Sequence, residues 1–166
     1  MTVEWRGKFI EVHREGTWEF AARARNIGAA VLIALTDDAE IVLVEQFRPA
    51  LASRTIELPA GLIGDETEGE AAAVSAAREL EEETGFTAAQ LDDLGEYATS
   101  PGMSSERFQL FRATRLTRTG PGGGVAGEDI VVHVVRLAGL GDWLAARRSD
   151  GLVIDCRLIV ALGFVG

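Results

Sequence analysis

Residues 56–86 read I-E-L-P-A-G-L-I-G-D-E-T-E-G-E-A-A-A-V-S-A-A-R-E-L-E-E-E-T-G-F, and the second half of this stretch reads as one helix. Thr67 stands where an N-cap would sit, and Glu70, three residues on, would complete a capping box. Gly85 stands where a C′ glycine ends a helix. Ala73, Ala77, Leu80 and Thr84 recur at helical spacing and predict a core-facing lane. Glu79, Glu82 and Glu83 recur at i, i+3 and i+4 on another side, where residues are surface neighbours. Without further pattern, such an acidic face would simply be solvated. Crowded carboxylates repel, and a hard divalent cation, which takes oxygen ligands, would turn that repulsion into coordination.

N-terminal to this stretch, residues 8–14 (K-F-I-E-V-H-R) and 17–24 (T-W-E-F-A-A-R-A) flank Glu15-Gly16 and predict a β-hairpin with Trp18 and Phe20 on one face. Residues 29–35 and 40–46 flank T-D-D-A and predict a second hairpin. These two strands are nearly continuous in apolar residues, which implies cover on both faces. Phe47-Arg48-Pro49 ends the second of them, residues 51–54 predict a short connection, and residues 55–58 predict a short strand stopped by Pro59. Beyond the helix, residues 91–99 predict a loop entering a short strand, Ser100-Pro101-Gly102 a turn, and residues 107–113 a strand. Residues 120–127 (G-P-G-G-G-V-A-G) predict a flexible loop, residues 129–137 a strand, and residues 142–148 and 155–164 two helices. Strands with a few helices packed on them give an α/β or α+β layer architecture.

A chain of 166 residues suits one domain with a full core, and no repeat or linker divides it. The formal net charge of −10 argues against a nucleic-acid backbone as partner. The single cysteine, Cys156, excludes an intramolecular disulfide, fits a reducing compartment and is expected to serve as a small apolar residue. No leader peptide and no apolar run of membrane-spanning length is visible, so the cytoplasm is the expected location.

The helix stretch carries a more particular pattern. Gly64, five residues, Glu70, seven residues, then Arg78-Glu79-Leu80-x-Glu82-Glu83-x-Gly85-Phe86 fills every fixed position of G-x5-E-x7-R-E-U-x-E-E-x-G-U, where U is bulky and apolar. This resembles the Nudix box, the signature of the Nudix hydrolases. V-E-Q-F-R-P at 44–49, E-L-P-A-G-L-I at 57–63 and S-P-G-M-S-S-E-R at 100–107 are similar to the ADP-ribose and nucleoside-diphosphate-sugar pyrophosphatases of that family. Pro101 lies sixteen residues beyond Gly85, where that subfamily is marked by a proline. E-D-I-V-V-H-V at 128–134 resembles the strand after the family's acidic catalytic loop. The resemblance covers residues 17–137 and weakens towards both ends.

That resemblance implies the Nudix fold, an α/β fold with a mixed β-sheet sandwiched between helices. Residues 1–26 add an N-terminal antiparallel β-hairpin extension, which in the family pairs two subunits and so implies a homodimer with composite sites. The implied activity is hydrolysis of the diphosphate bond of ADP-ribose to AMP and ribose 5-phosphate with Mg²⁺, or Mn²⁺. Glu79, Glu82 and Glu83 would hold the metal with the backbone carbonyl of Ala60. Arg78 would pair with Glu82, and Glu70 would cap the helix or assist the metal. Arg48 would meet the diphosphate or the terminal ribose phosphate, unless it is a surface ion pair. Glu57 would help bind substrate or metal, unless it is a solvated strand-end charge. Trp18 and Glu19 would stack on and hydrogen-bond adenine, although a hairpin Trp also suits a core or an interface. Glu106 would sit near substrate or support its loop. Glu128 would be general base or metal ligand, swung inward on the glycine-rich loop. Two departures stand out: eight residues separate Gly61 from Glu70 where the family has five, and Ala126 stands where relatives often carry another acid. Other nucleoside diphosphate sugars such as GDP-mannose, or a non-catalytic nucleotide sensor, are the alternatives. No nucleic-acid or membrane partner is expected.

Overall fold

The computed structural model describes residues 1–25, 27–64, 69–125 and 127–165. The N-terminal segment forms a separate antiparallel sheet of β1 (Thr2–Arg6), β2 (Ile10–Glu15) and β3 (Trp18–Arg23). β2 and β3 are the expected hairpin, turned at Gly16 with φ of 60°. β1 is an addition to the sequence-based expectation. Its five residues are all exposed, so no buried alternation marks it. Backbone hydrogen bonds from Ala21 N–H to Met103 O and from Ser105 N–H to Ala21 O, both 2.9 Å, tie this sheet to the turn at 100–105.

The main sheet is mixed. It contains β4 (Ala29–Leu35), β5 (Glu40–Arg48), β6 (Ser53–Glu57), β7 (Ala60–Leu62), β8 (Phe86–Ala98), β9 (Arg107–Arg118), β10 (Val131–Arg136) and β11 (Val153–Ile154). The order is β11-β6-β5-β4-β9-β8, with β10 also on β5 and β7 also on β4. β4–β9 and β6–β11 pair in parallel and the other pairs are antiparallel. The helices are α1 (Ala72–Thr84), α2 (Leu140–Ser149) and α3 (Cys156–Ala161).

Alternation along β4 and β5 distributes the core. Ala30, Leu32, Ala34 and Val42 pack with Ala76 and Leu80 of α1 and with Phe86, Phe111 and Ala113. Val31, Ile33, Ile41 and Leu43 point the other way, onto Leu140 and Leu144 of α2 and Leu158 and Ala161 of α3. The sheet is therefore sandwiched between helices, as the continuous apolar strands imply.

β4 and β5 pair only at Ala34↔Val42 and Leu35↔Ile41, then part. Residues 53–62 fill the resulting fork. Glu57 still pairs with Val44 of β5, and three residues later Ala60 pairs with Val31 of β4. Pro59 bridges the step, its carbonyl accepting from Leu32 N–H at 2.9 Å.

Four expectations change. α1 begins after Ala71, which makes no side-chain cap, and Glu70 therefore lies outside the helix and closes no capping box. Thr67 itself lies outside the described residues, as does Ala126. The buried face of α1 is Ser75, Ala76, Leu80, Glu83 and Thr84, whereas Ala73 and Ala77 are exposed. Alanines stand three and four residues before Leu80, so periodicity allowed either lane. The apolar face of β4 and β5 selects Ala76. Residues 86–98 form one long strand, where the sequence predicts a loop entering a short strand over residues 91–99, although D-D-L-G-E is poor in β-formers. Gly95, with φ of 98°, sits at a register shift, and polar cross-strand pairs support the pairing, among them Arg112–Asp92 at 3.0 Å and Arg107–Glu96 at 2.9 Å. Cys156 is exposed rather than an apolar core residue, because Leu158 and Ala161 supply the buried side of α3.

Candidate active site

The fork between β4 and β5 opens into a cleft of about 680 Å³, lined by Glu79, Glu83 and Glu128 and by Arg48, Arg157, Glu57 and Asp155. Residues 57–61 serve both groups, Glu57 among the arginines and Ala60-Gly61 among the carboxylates.

In the acidic group Glu83 is the buried member, on the sheet-facing side of α1. Its Oε2 accepts the Ala60 N–H at 3.0 Å. Burial pushes the Glu83 carboxyl up to about 8; the Glu79 and Glu128 charges add to this, while the Ala60 amide and Arg48 oppose it. Glu79 lies against the backbone of Gly61, where a Cβ would stand 1.9 Å from its Cδ. That glycine is needed for close approach. Arg78 Nη1 lies 3.0 Å from both Glu79 Oε1 and Glu82 Oε2, and Nη2 lies 3.8 Å from Glu70 Oε2. The Arg78–Glu82 pair is the one expected from spacing. Glu82, more exposed than Glu79 and Glu83, lies off the cleft lining.

Glu128 is exposed at the cleft, its Oε2 accepting Val125 N–H at 2.9 Å. The glycine-rich segment before it is docked on the end of α1, contrary to the expectation of a free loop. Gly123 N–H donates to Glu83 O at 2.9 Å and Gly124 N–H to Glu82 O at 3.0 Å. Thr119 and Gly120 N–H both donate to Gly85 O. These bonds satisfy carbonyls that a helix end leaves unpaired. At Gly122, with φ of 69°, a Cβ would stand 2.4 Å from the Thr84 carbonyl carbon.

The arginine group is built on Glu57, which is 2% exposed and so is not a solvated strand end. Arg48 forms a two-pronged pair with it, Nε to Oε1 and Nη2 to Oε2, both 2.7 Å. The Thr55 hydroxyl donates to Oε1, and Arg157 Nη2 donates to Oε2 at 3.1 Å. Arg157 also binds Asp155, which caps α3 by accepting the Arg157 N–H at 2.7 Å. Burial would raise the Asp155 carboxyl, but the Arg157 hydrogen bonds and charge outweigh it and hold it below the usual range. No motif announces Arg157; the only local sign is an aspartate two residues ahead at a helix start, and its partner Glu57 is a hundred residues away.

Glu106 also lines the cleft and pairs with Arg23 at 2.5 Å. Trp18 and Glu19 are exposed on β3 and line no part of the cleft. Trp18 instead borders a shallow pocket with Phe20 and Pro101. His13 bonds Glu11 at 2.9 Å and His133 bonds Glu45 at 3.0 Å, ordinary structural roles away from this chemistry.

The family model for the NUDIX domain matches residues 26–148. The chain belongs to the Nudix family. A "Methanol dehydrogenase activator" of Bacillus methanolicus is 40% identical over 113 residues, 68% of this chain and 59% of that protein. An "ADP-ribose pyrophosphatase" of Bacillus subtilis is 41% identical over 90 residues, 54% of this chain and 47% of that protein. The chain thus spans about half the length of these relatives. A solved structure titled "Crystal structure of ADP compounds hydrolase" shares the fold, with a TM-score of 0.67 at 23% identity over 87% of this chain and 80% of that one.

The Nudix box of this chain offers carboxylates, the donor type of hard divalent cations. As the side chains stand, no three acidic, His or Cys groups among the described residues are arranged to hold a metal, and Glu79 and Glu82 are turned to Arg78. The set nonetheless fits one. Glu83 is a buried carboxyl whose ionisation is opposed by two neighbouring carboxylates, and a cation there would relieve all three. The lengthened turn before the box does not draw the P-A-G segment away: Ala60 and Gly61 still touch Glu83 and Glu79.

Proposed function

We propose that this chain hydrolyses the diphosphate bond of ADP-ribose, giving AMP and ribose 5-phosphate, with Mg²⁺ held by Glu79, Glu82, Glu83 and the Ala60 backbone. The observation that carries this reading is one cleft lined by both a crowded carboxylate group and arginines fixed on a buried glutamate. A diphosphate needs both, since its negative oxygens must be bound by positive groups and its cleavage builds further charge. The named Bacillus subtilis relative supports the choice of sugar nucleotide. A bound divalent cation would polarise a phosphoryl oxygen and lower the pKa of water. The chain's own residues do the rest. Arg48 orients a phosphate, and Glu128 takes the proton from the attacking water. The new bond forms from that water oxygen to phosphorus as the bridging P–O bond breaks and its electrons leave on the departing phosphate.

The same reading makes the chain a cytoplasmic homodimer. Trp5, Phe9, Ile10 and Trp18 are exposed on the N-terminal segment, an apolar surface that supports pairing with a second copy. The free, exposed Cys156 is compatible with a reducing compartment.

The test is incubation with ADP-ribose and Mg²⁺, with AMP measured by chromatography and GDP-mannose run alongside. AMP formation is expected; turnover of GDP-mannose alone would replace the substrate, and tight ADP-ribose binding without any product would point to a sensor. Glu82→Gln and Glu83→Gln are each expected to lower turnover by about a hundredfold or more while leaving the circular dichroism spectrum unchanged.

A further inference from the structure

We infer that Arg157 is a phosphate-binding residue, which together with Arg48 forms a two-guanidinium site for a phosphate of a nucleoside diphosphate sugar. This deepens the diphosphate reading above and rests on it. Arg157 lies beyond residues 26–148, the span matched by the family model, so membership of the family does not assign it.

Its position is built by the C-terminal segment. β11 pairs in parallel with β6, Ile154 opposite Ile56, and Asp155 N–H donates to Ile56 O at 3.0 Å. This sets Asp155 and Arg157 beside Glu57. Glu57 then holds two guanidiniums at once, Arg48 by Nε and Nη2 and Arg157 by Nη2. Two like charges are thereby kept on one buried carboxylate at the wall of an open cleft. Such a network is a poor way to gain stability, because buried ion pairs are often no better than apolar packing.

The donors left over are the informative part. Among the described residues, Nη1 of Arg48 and Nη1 of Arg157 make no hydrogen bond, while the other side-chain nitrogens of both are engaged. Each arginine is thus locked in orientation with donor capacity to spare. Planar guanidinium forks match phosphate oxygens. Glu57 and Asp155 balance the two charges, so what the pair offers an anionic ligand is its fixed, spare N–H donors.

The experiment uses the whole chain, treated with chelator so that nothing turns over, and titrates inorganic pyrophosphate and ADP-ribose by calorimetry. Arg157→Lys keeps the charge on Glu57 and Asp155 but loses the fork. It is expected to weaken both ligands about tenfold. With metal restored, it is expected to raise KM for ADP-ribose by a similar factor and to leave kcat within about threefold. Asp155→Asn keeps the helix cap and the Arg157 fork but loosens its lock, so it is expected to weaken pyrophosphate by no more than about threefold, less than Arg157→Lys. A merely structural Arg157–Asp155 pair predicts instead that Asp155→Asn weakens the ligand about tenfold, as much as Arg157→Lys. That outcome, an unchanged Kd for Arg157→Lys, or no pyrophosphate binding by the parent protein would overturn the inference. If Arg157→Lys fails to fold by its melting curve, Asp155→Asn decides alone. Should the parent protein hydrolyse no nucleoside diphosphate sugar, the activity reading falls, and the pyrophosphate comparison still decides Arg157.

Discussion

Gly61 and Glu83 show how single positions set this site. A methyl on Gly61 would meet the far end of the Glu79 side chain, which can swing away, rather than fixed backbone. Gly61→Ala is therefore expected to displace Glu79, cutting turnover about a hundredfold while shifting the melting temperature by no more than a few degrees. Near-normal turnover in that variant would show that Glu79 does not need its place against Gly61. Glu83 makes a prediction about pH. An unfolded glutamate titrates near 4.5, but in the folded chain this one titrates at about 8. The folded state therefore keeps a proton that the unfolded state gives up. The stability from Glu83 is fully present below about pH 4.5 and is lost as pH rises towards 8, at up to about 1.4 kcal/mol per pH unit. Chelator-treated protein should lose stability between pH 5 and 8 relative to Glu83→Gln, measured by denaturant titration. A flat difference between the two would remove the buried-carboxyl account. The carboxylates of this site were legible from spacing alone. Their unequal burial was not, because it depends on which lane of α1 meets the sheet, and two alanine lanes fitted equally well.

The behaviour of α1 as an element depends on the segment that docks on its end. Amides at 119–124 bond to carbonyls at 82, 83 and 85, so the helix terminus and the loop bearing Glu128 form one unit. Gly122→Ala would place a Cβ against the Thr84 backbone at a left-handed φ, with no flexible side chain to yield. A destabilisation of about 1–3 kcal/mol is expected, seen as a lower melting temperature with the loop undocked. Unchanged stability would mean that the segment is free of the helix in solution. From the run G-P-G-G-G a loop was legible, but glycine signals freedom and close approach alike. Only the three-dimensional neighbour separates the two. β8 failed to stand out for a related reason: its stability lies in pairs with β9, and cross-strand partners are invisible in the local sequence.

Over the whole molecule, the C-terminal segment is less peripheral than its distance from the box suggests. Leu158 is fully buried in the core face made by Ile33, Leu43 and Ile56. Leu158→Ala is expected to cost about 2–5 kcal/mol, read by chemical denaturation, and to loosen Arg157 with it. A cost well under 1 kcal/mol would show that α3 is only loosely held. The layered α/β fold was readable because β4 and β5 are apolar on both faces, and the three-stranded N-terminal sheet was readable in its hairpin. The meeting of Arg48 and Arg157 on Glu57 was not, since it needs a parallel pairing between β6 and β11 that no local pattern encodes. The fork between β4 and β5 also bears on how this chain tolerates altered length. Glu57 is in register with one strand and Ala60 with the other, only Leu58 and Pro59 lying between. One residue inserted there would force a slip in one ladder or the other, turning either the arginine anchor or the carboxylate contact to the wrong face of the sheet. Few places in the chain should be so intolerant of a single added codon.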